Sequence, residues 1–294
     1  MLRIDRIATL YFFYPISRIR RSQRDDCIPI LMYHSISNES ENGVHPYYRV
    51  NTSPDIFNEH MRYLHENDYS VVSLKDIVDI LKKTPQLLNS STRQLKYVVI
   101  TFDDGFRDFY TQAFPVLQKY NFTATVFLPT EFINNNGSRL NEKEHLSWDE
   151  VRELNNNSIN FGSHTVTHPQ LKSIKKEEIE YEIRHSKETI EDKLGEVIDS
   201  FSYPFAFPEE DNEFRKYLKD ILRECDYKYS VSTRIGTTSR KDDICFAKRI
   251  PVNSCDDIIF FKAKLEGGYD WLNKPQCIFK MFKRKLSSIT NQLN

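Results

Sequence analysis

Cysteine is scarce in this 294-residue chain and poorly placed for cross-linking. The five thiols (Cys27, Cys225, Cys245, Cys255 and Cys277) are odd in number and widely spaced, and no Cys-x-x-Cys pair occurs. The pattern argues against a disulfide framework and against a cysteine-type zinc site, and it fits a reducing compartment. Glycine is also sparse, at 8 residues. Neither G-x-G-x-x-G nor G-x-x-x-x-G-K-[ST] is present, so a phosphate-cradling nucleotide loop is not expected. No apolar run is long enough to cross a bilayer, which takes about 20 residues. The longest, residues 7–16, is interrupted by Thr9 and Pro15. It has the charged-then-apolar opening of a signal peptide, but Arg18, Arg20, Arg21 and Arg24 follow where a small-x-small cleavage site would stand. An excess of one charge is missing too: Lys plus Arg is 41, Asp plus Glu is 42, and the formal net charge is -1. No nucleic-acid partner is indicated. A hydrophobic fraction of 39% with 28% charged residues is the balance of a globular protein.

Both ends are nevertheless locally basic. Residues 1–26 carry six Arg against three Asp, and residues 272–294 carry four Lys and one Arg with no acid. In the second stretch the charges alternate with Ile278, Phe279, Met281, Phe282 and Leu286. Such segments are either solvated arms packed on the body or surfaces that touch an anionic membrane face. The expected location is the cytoplasm, with the solvated-arm reading of the two ends preferred; a membrane-peripheral location and export are the alternatives.

Between the ends, strand and helix patterns alternate. Short apolar runs at 29–33, 97–102, 123–128, 159–161, 201–203, 229–232 and 245–252 read as strands. Helical spacing marks 55–66, 74–83, 109–120, 148–156, 174–193 and 212–224, with Ser73 as an N-cap and Ser147 with Glu150 as a capping box. Residues 84–95 and the Asn/Gly stretch at 134–137 read as loops. This alternation predicts a parallel α/β architecture, and the missing dinucleotide fingerprint favours a barrel over an open sheet.

Three places carry candidate chemistry. The strand 97–102 runs into Asp103-Asp104-Gly105, two carboxylates at the carboxyl end of a buried strand, where parallel α/β folds build their sites. Adjacent carboxylates repel, so one requires a cation or a shared proton; the competing reading is an Asp-Gly turn. Gly162-Ser163-His164-Thr165-Val166-Thr167-His168-Pro169 holds two histidines four apart on β-branched, non-helical sequence without the H-E-x-x-H pattern. Two His and one carboxylate make a metal set with open positions, whereas singly each His would be a surface or core residue. His34, in Met32-Tyr33-His34-Ser35, also follows a strand, so a barrel can bring it to the same rim as a general acid or base.

Together these segments resemble the polysaccharide deacetylase family, the NodB-homology domain of carbohydrate esterase family 4. Thr101-Phe-Asp-Asp-Gly105 matches its first motif, and His164-Thr-Val-Thr-His168-Pro169 matches its second, about sixty residues later. Leu146-Ser-Trp-Asp-Glu-Val-Arg152 and Ala124-Thr-Val-Phe-Leu-Pro129 are similar to family sequence as well. The resemblance implies a distorted, incomplete (β/α) barrel and removal of acetyl from an N-acetylated sugar or polysaccharide, with release of acetate. It implies one divalent metal, zinc first and cobalt, nickel or iron as alternatives, on Asp104, His164 and His168. Asp103 would be the catalytic base. Tyr203-Pro204-Phe205 looks like the third motif, which supplies groove residues and an oxyanion N–H, and Trp148 would flank the substrate or serve as a core aromatic. The sequence departs from the family in two ways. The third motif lacks its usual Arg near Tyr203, and no His follows His185. The permuted branch that includes poly-N-acetylglucosamine deacetylases carries the catalytic His early, in a segment like Leu31-Met-Tyr-His34, so His34 is assigned as the acid. The expected division is a basic N-terminal arm at 1–27, a catalytic domain at 28–265 and a basic tail at 266–294. The expected substrate is an N-acetylated glycan or lipid-linked sugar. A carbohydrate-binding pseudoenzyme and a metal-dependent hydrolase of a non-sugar amide are the alternatives.

Overall fold

The computed structural model describes residues 2–19, 27–87, 96–134 and 143–276. Seven strands build its centre: β1 (Ile30–Tyr33), β2 (Lys96–Phe102), β3 (Ala124–Leu128), β4 (Ile159–Ser163), β5 (Ser200–Ser202), β6 (Tyr229–Ile235) and β7 (Ala247–Pro251). Each pairs in parallel with the next in the chain, and β7 pairs with β1, so the sheet closes into a ring. Strands covered on both faces need no polar side, which is why β2 and β3 read as nearly continuous apolar runs rather than as alternations. One further strand, Tyr69–Val71, pairs with the first residues of β2 outside the ring.

Helices α1 (Pro54–Glu66), α2 (Ile77–Leu87), α3 (Phe114–Lys119), α4 (Trp148–Asn156), α5 (Lys176–Leu194) and α6 (Asn212–Glu224) fill the crossovers, and α7 (Ile258–Leu265) follows β7. The β6–β7 connection holds only a short 3₁₀ turn, Ile244–Phe246. Seven strands and a crossover without an α-helix make the barrel incomplete, as the family resemblance implied. α4 starts with the expected capping box: the Glu150 N–H donates to Ser147 Oγ, and the Ser147 N–H donates to Glu150 Oε2 at 2.9 Å.

Several local expectations shift. The helix after Ser73 opens as a 3₁₀ turn, Leu74–Asp76, and α2 runs on to Leu87 into the stretch expected to be loop; residues 88–95 lie outside the described residues. Residues 109–120 begin with a π-helical turn, Phe109–Ala113, because Pro115 lacks the N–H that would bond the carbonyl four residues earlier. Residues 135–142, which hold most of the expected Asn/Gly loop, also lie outside the described residues, as do residues 277–294 of the expected tail.

The barrel interior is set by the period of two along each strand. Val99, Thr101 and Asp103 share one face of β2, and Ala247 and Arg249 share one face of β7. Val99 and Ala247 are buried in a cluster with Ile30, Phe127 and Val231, contributed by five different strands of the ring. Above this apolar floor the same two faces present Asp103 and Arg249. A larger core fills the space between ring and helices.

Candidate active site

Side chains on or just beyond five strands, β1, β2, β4, β5 and β7, meet towards the carboxyl end of the ring. Asp104 follows β2, while His164 and His168 lie on the loop after β4. Asp104 Oδ1 is 3.5 Å from His164 Nε2 and 3.4 Å from His168 Nε2, and the two imidazole nitrogens are 3.2 Å apart. Asp104 Oδ1 is buried and accepts no hydrogen bond. Three ligand-type atoms held this close to one another suit a cation. A tetrahedral ion with bonds of about 2.0–2.1 Å has ligand–ligand edges of about 3.3–3.4 Å, close to the three separations observed. The donor set of two imidazoles and a carboxylate therefore fits a zinc-like divalent ion, and among the described residues no other group of His, Cys, Asp and Glu converges in this way.

The loop is built to hold its ligands. His164 Nδ1 lies 2.8 Å from the Ser202 carbonyl, so that nitrogen carries the proton and Nε2 keeps its lone pair for the cation. Glu182, on α5, accepts from the Val166 N–H at 2.7 Å, the Thr167 N–H at 2.9 Å and Thr167 Oγ1 at 2.7 Å. These bonds clamp a strained segment: Thr165 and His168 have φ of +70° and +54°, and Asp104 opposite has +70°. Left-handed backbone at a β-branched residue is costly and persists only where the surroundings impose it. Burial, with the neighbouring His164 next in weight, pushes His168 down to about 4, so it stays neutral and ligand-ready at neutral pH. Burial works the same way on His164, but the charges of Asp103 and Asp104 outweigh it and raise its pKa.

Asp103 points into the barrel instead. Its Oδ1 and Oδ2 each receive a hydrogen bond of 2.7 Å from Arg249, in a two-pronged pair that is fully buried. Ser202 Oγ adds a third bond at 3.2 Å. Arg249 is fixed in turn by the Ser232 carbonyl, Thr101 Oγ1 and Ser202 Oγ. Burial alone would raise the Asp103 pKa; the guanidinium reverses this and holds the carboxyl well below the usual carboxylate range. His34 Nε2, at the end of β1, is 4.0 Å from Asp103 Oδ2.

The structure thus gathers Asp103, Asp104, His164, His168 and His34. The remaining site residues divide. Phe205, at φ +58°, is half exposed and places its ring 4.7 Å from His168. Tyr203 is interior: its ring packs edge-on against Phe207, its N–H donates to the Val231 carbonyl, and burial raises its hydroxyl pKa. Pro204 is buried beside it. Trp148 is buried in the main core at the start of α4 and makes no hydrogen bond or ring contact with the site residues, which places it with the core aromatics.

Sequence reasoning missed Arg249 and Glu182. Arg249 lies 146 positions from Asp103 in the chain. It supplies a guanidinium beside Ser202, next to the position where the third motif lacks its arginine. A signal existed in its alternation with Lys248, which puts Arg249 on the face of Ala247. Glu182 stands between Ile179, Ile183 and Ile190 on the buried stripe of α5, where a carboxylate requires a partner.

Comparison with known proteins identifies the family that the matched residues resemble. Residues 90–230 match the polysaccharide deacetylase family. The chain is 27% identical over 236 residues to the putative polysaccharide deacetylase YxkH of Bacillus subtilis, covering 79% of this chain and 74% of that protein. It is 29% identical over 144 residues to the poly-beta-1,6-N-acetyl-D-glucosamine N-deacetylase of Escherichia coli K12, covering 46% of this chain and 20% of that protein. The structure of the Streptococcus pyogenes deacetylase PplD superposes with a TM-score of 0.68 at 24% identity, over 81% of this chain and 98% of that one, and shares the fold. A closed parallel α/β ring with carboxylates and imidazoles at its carboxyl rim is an α/β barrel with its candidate site where such barrels build theirs. Residues 90–230 carry the match to the polysaccharide deacetylase domain, also called the NodB or carbohydrate esterase family 4 domain.

Proposed function

We propose that the protein is a metal-dependent N-deacetylase acting on an N-acetylated glycan or lipid-linked sugar, cleaving the acetamide C–N bond to acetate and a free amine. The observation that carries the reading is the convergence of Asp104, His164 and His168 on one point beside a separately held Asp103. A divalent ion on those three residues supplies a Lewis acid for the acetamide carbonyl and for water. Asp103 receives the proton of the attacking water. Arg249 keeps it ionised and makes its protonated form short-lived, so the proton moves on to His34 Nε2, 4.0 Å from Oδ2. His34 then protonates the sugar nitrogen as the C–N bond breaks. The Phe205 N–H, beyond the end of β5, is the proposed donor to the oxyanion, a contribution typically worth about 3–4 kcal/mol. The exposed Phe205 ring offers an apolar face to the sugar.

The test is metal content by mass spectrometry. Wild type is expected to hold one divalent ion per chain, lost in the Asp104→Ala/His164→Ala/His168→Ala variant. Asp103→Asn is expected to keep the ion and lose acetate release. A wild type that takes up no metal on reconstitution, or an Asp103→Asn variant with unchanged turnover, contradicts the proposal.

A further inference from the structure

The segment ahead of the barrel is a helix with its faces inverted. Three consecutive pieces, Ile4–Ala8, Thr9–Phe13 and Tyr14–Ile19, run on without a break. Their polar groups face the protein. Arg6 Nη2 donates to Asp257 Oδ2 at 2.6 Å, Tyr14 Oη to Glu266 Oε2 at 2.8 Å, Tyr269 Oη to Asp5 Oδ2 at 2.8 Å, and Trp271 Nε1 to Thr9 Oγ1 at 3.0 Å. Arg3 binds Asp5 and lies 3.6 Å from the buried Asp256. The Phe13 ring stacks on Trp271 at 4.5 Å.

The opposite face is apolar and points to solvent. Ile4, Ile7, Tyr11, Phe12, Ile16 and Ile19 recur at the threes and fours of one helical face. Their exposures run from 42% at Ile7 to 85% at Ile19. A helix resting on a soluble domain normally turns such a stripe inward, and a contiguous apolar face left outside marks a contact surface. Among the described residues no helix is long and apolar enough to cross a membrane. A helix of this length with one exposed apolar face lies along an interface rather than through it.

Charge decides what covers the face. Arg3 and Arg6 are engaged inward, but Arg18 is exposed. The sequence then adds Arg20, Arg21 and Arg24 before the next acid, Asp25. Trp271, on which Phe13 stacks, leads into residues 272–294, with four Lys, one Arg and no acid. One basic segment of the chain thus follows Ile19, at the end of this apolar face, and the other follows Trp271, which stacks on Phe13 of the same helix. That combination complements anionic lipid headgroups, to which each added cation strengthens binding. A second copy would bring the same cationic charge against it and be repelled.

We propose that the helix at 4–19 lays its Ile4, Ile7, Tyr11, Phe12, Ile16 and Ile19 face on an anionic bilayer surface and holds the barrel there. The inference rests on the arm and is independent of the deacetylase reading. The experiment is flotation of the full chain with vesicles of phosphatidylcholine, with and without phosphatidylglycerol. Wild type is expected to float with the anionic vesicles, to float far less with the neutral ones, and to be released by salt. Ile7→Glu/Phe12→Glu/Ile16→Glu, all at exposed positions, is expected to weaken the partition by more than about tenfold with an unchanged melting temperature. Arg18→Glu is expected to weaken it less, and only at low salt. Absence of flotation, or equal flotation of the triple variant, overturns the proposal. So does a wild type that is dimeric by light scattering, becomes monomeric in the triple variant and does not float, since the face then belongs to a second copy.

Discussion

Replacing Arg249 by Met tests how the barrel interior is held together. The substitution keeps an unbranched apolar stem and removes two 2.7 Å hydrogen bonds to a carboxylate sealed from water. Removing one partner from a buried pair typically costs about 3–5 kcal/mol, because the other charge is left uncompensated. At about 2–4 °C per kcal/mol for a domain of this size, the melting temperature should fall by about 6–20 °C. The sign of the pH effect follows from the direction of the shift. Arg249 depresses the folded-state pKa of Asp103, so the stability it contributes is present above the unfolded carboxylate pKa and is lost as pH falls. Without the guanidinium, burial dominates and raises the Asp103 pKa, so the acid limb of acetate release should move up by about 1–3 pH units. Arg249→Lys, which keeps the charge but not the fork, should fall between the two. Thermal unfolding and a pH–rate profile of the three proteins read both effects. An Arg249→Met protein with wild-type melting and a wild-type acid limb would refute the reasoning.

Other predictions concern the supports of the site. Glu182→Ala frees the loop that carries His164 and His168 from three hydrogen bonds, and metal affinity, read by competition with a chelating dye, should fall by about tenfold or more. His60 is buried between the Tyr33 hydroxyl and the Asp256 carbonyl and stacks on Phe261 at 3.9 Å; burial brings its pKa down to about 4. Its neutral form is required in the folded state, so stability should be complete above pH 6.5 and decline between 6.5 and 4 by about 3 kcal/mol. Urea unfolding of wild type and His60→Gln across that range measures the difference, which should shrink in the variant.

How much of this was readable in the sequence depended on how local each signal was. The Asp103-Asp104 pair and the His164–His168 loop sit in contiguous motifs whose spacing is itself the signal. The cap at Ser147 and the bounds of α6 at Asn212–Glu224 are equally local, and both emerged as expected. Ring closure was not local. Only the pairing of β7 with β1 carries Arg249 to Asp103, and nothing within Lys248-Arg249-Ile250 announces a carboxylate partner. Glu182 hid among the exposed acids of α5, since one buried carboxylate in a charged helix has the same composition as a solvated one. Trp148 and Tyr203 were ambiguous in the sequence, because an aromatic side chain beside a motif suits a groove or a core equally; both are buried here, and the Phe205 ring is exposed.

The central claim is tested most directly by acetate release. Metal-loaded wild type and metal-loaded Asp103→Asn would be incubated with N-acetylglucosamine oligomers of defined linkage, and both acetate and new amine would be counted. The account predicts equal amounts of the two products from wild type and none above background from Asp103→Asn at equal metal content. Release by both proteins alike, or no release by wild type from any N-acetylated oligomer despite a filled metal site, would contradict it.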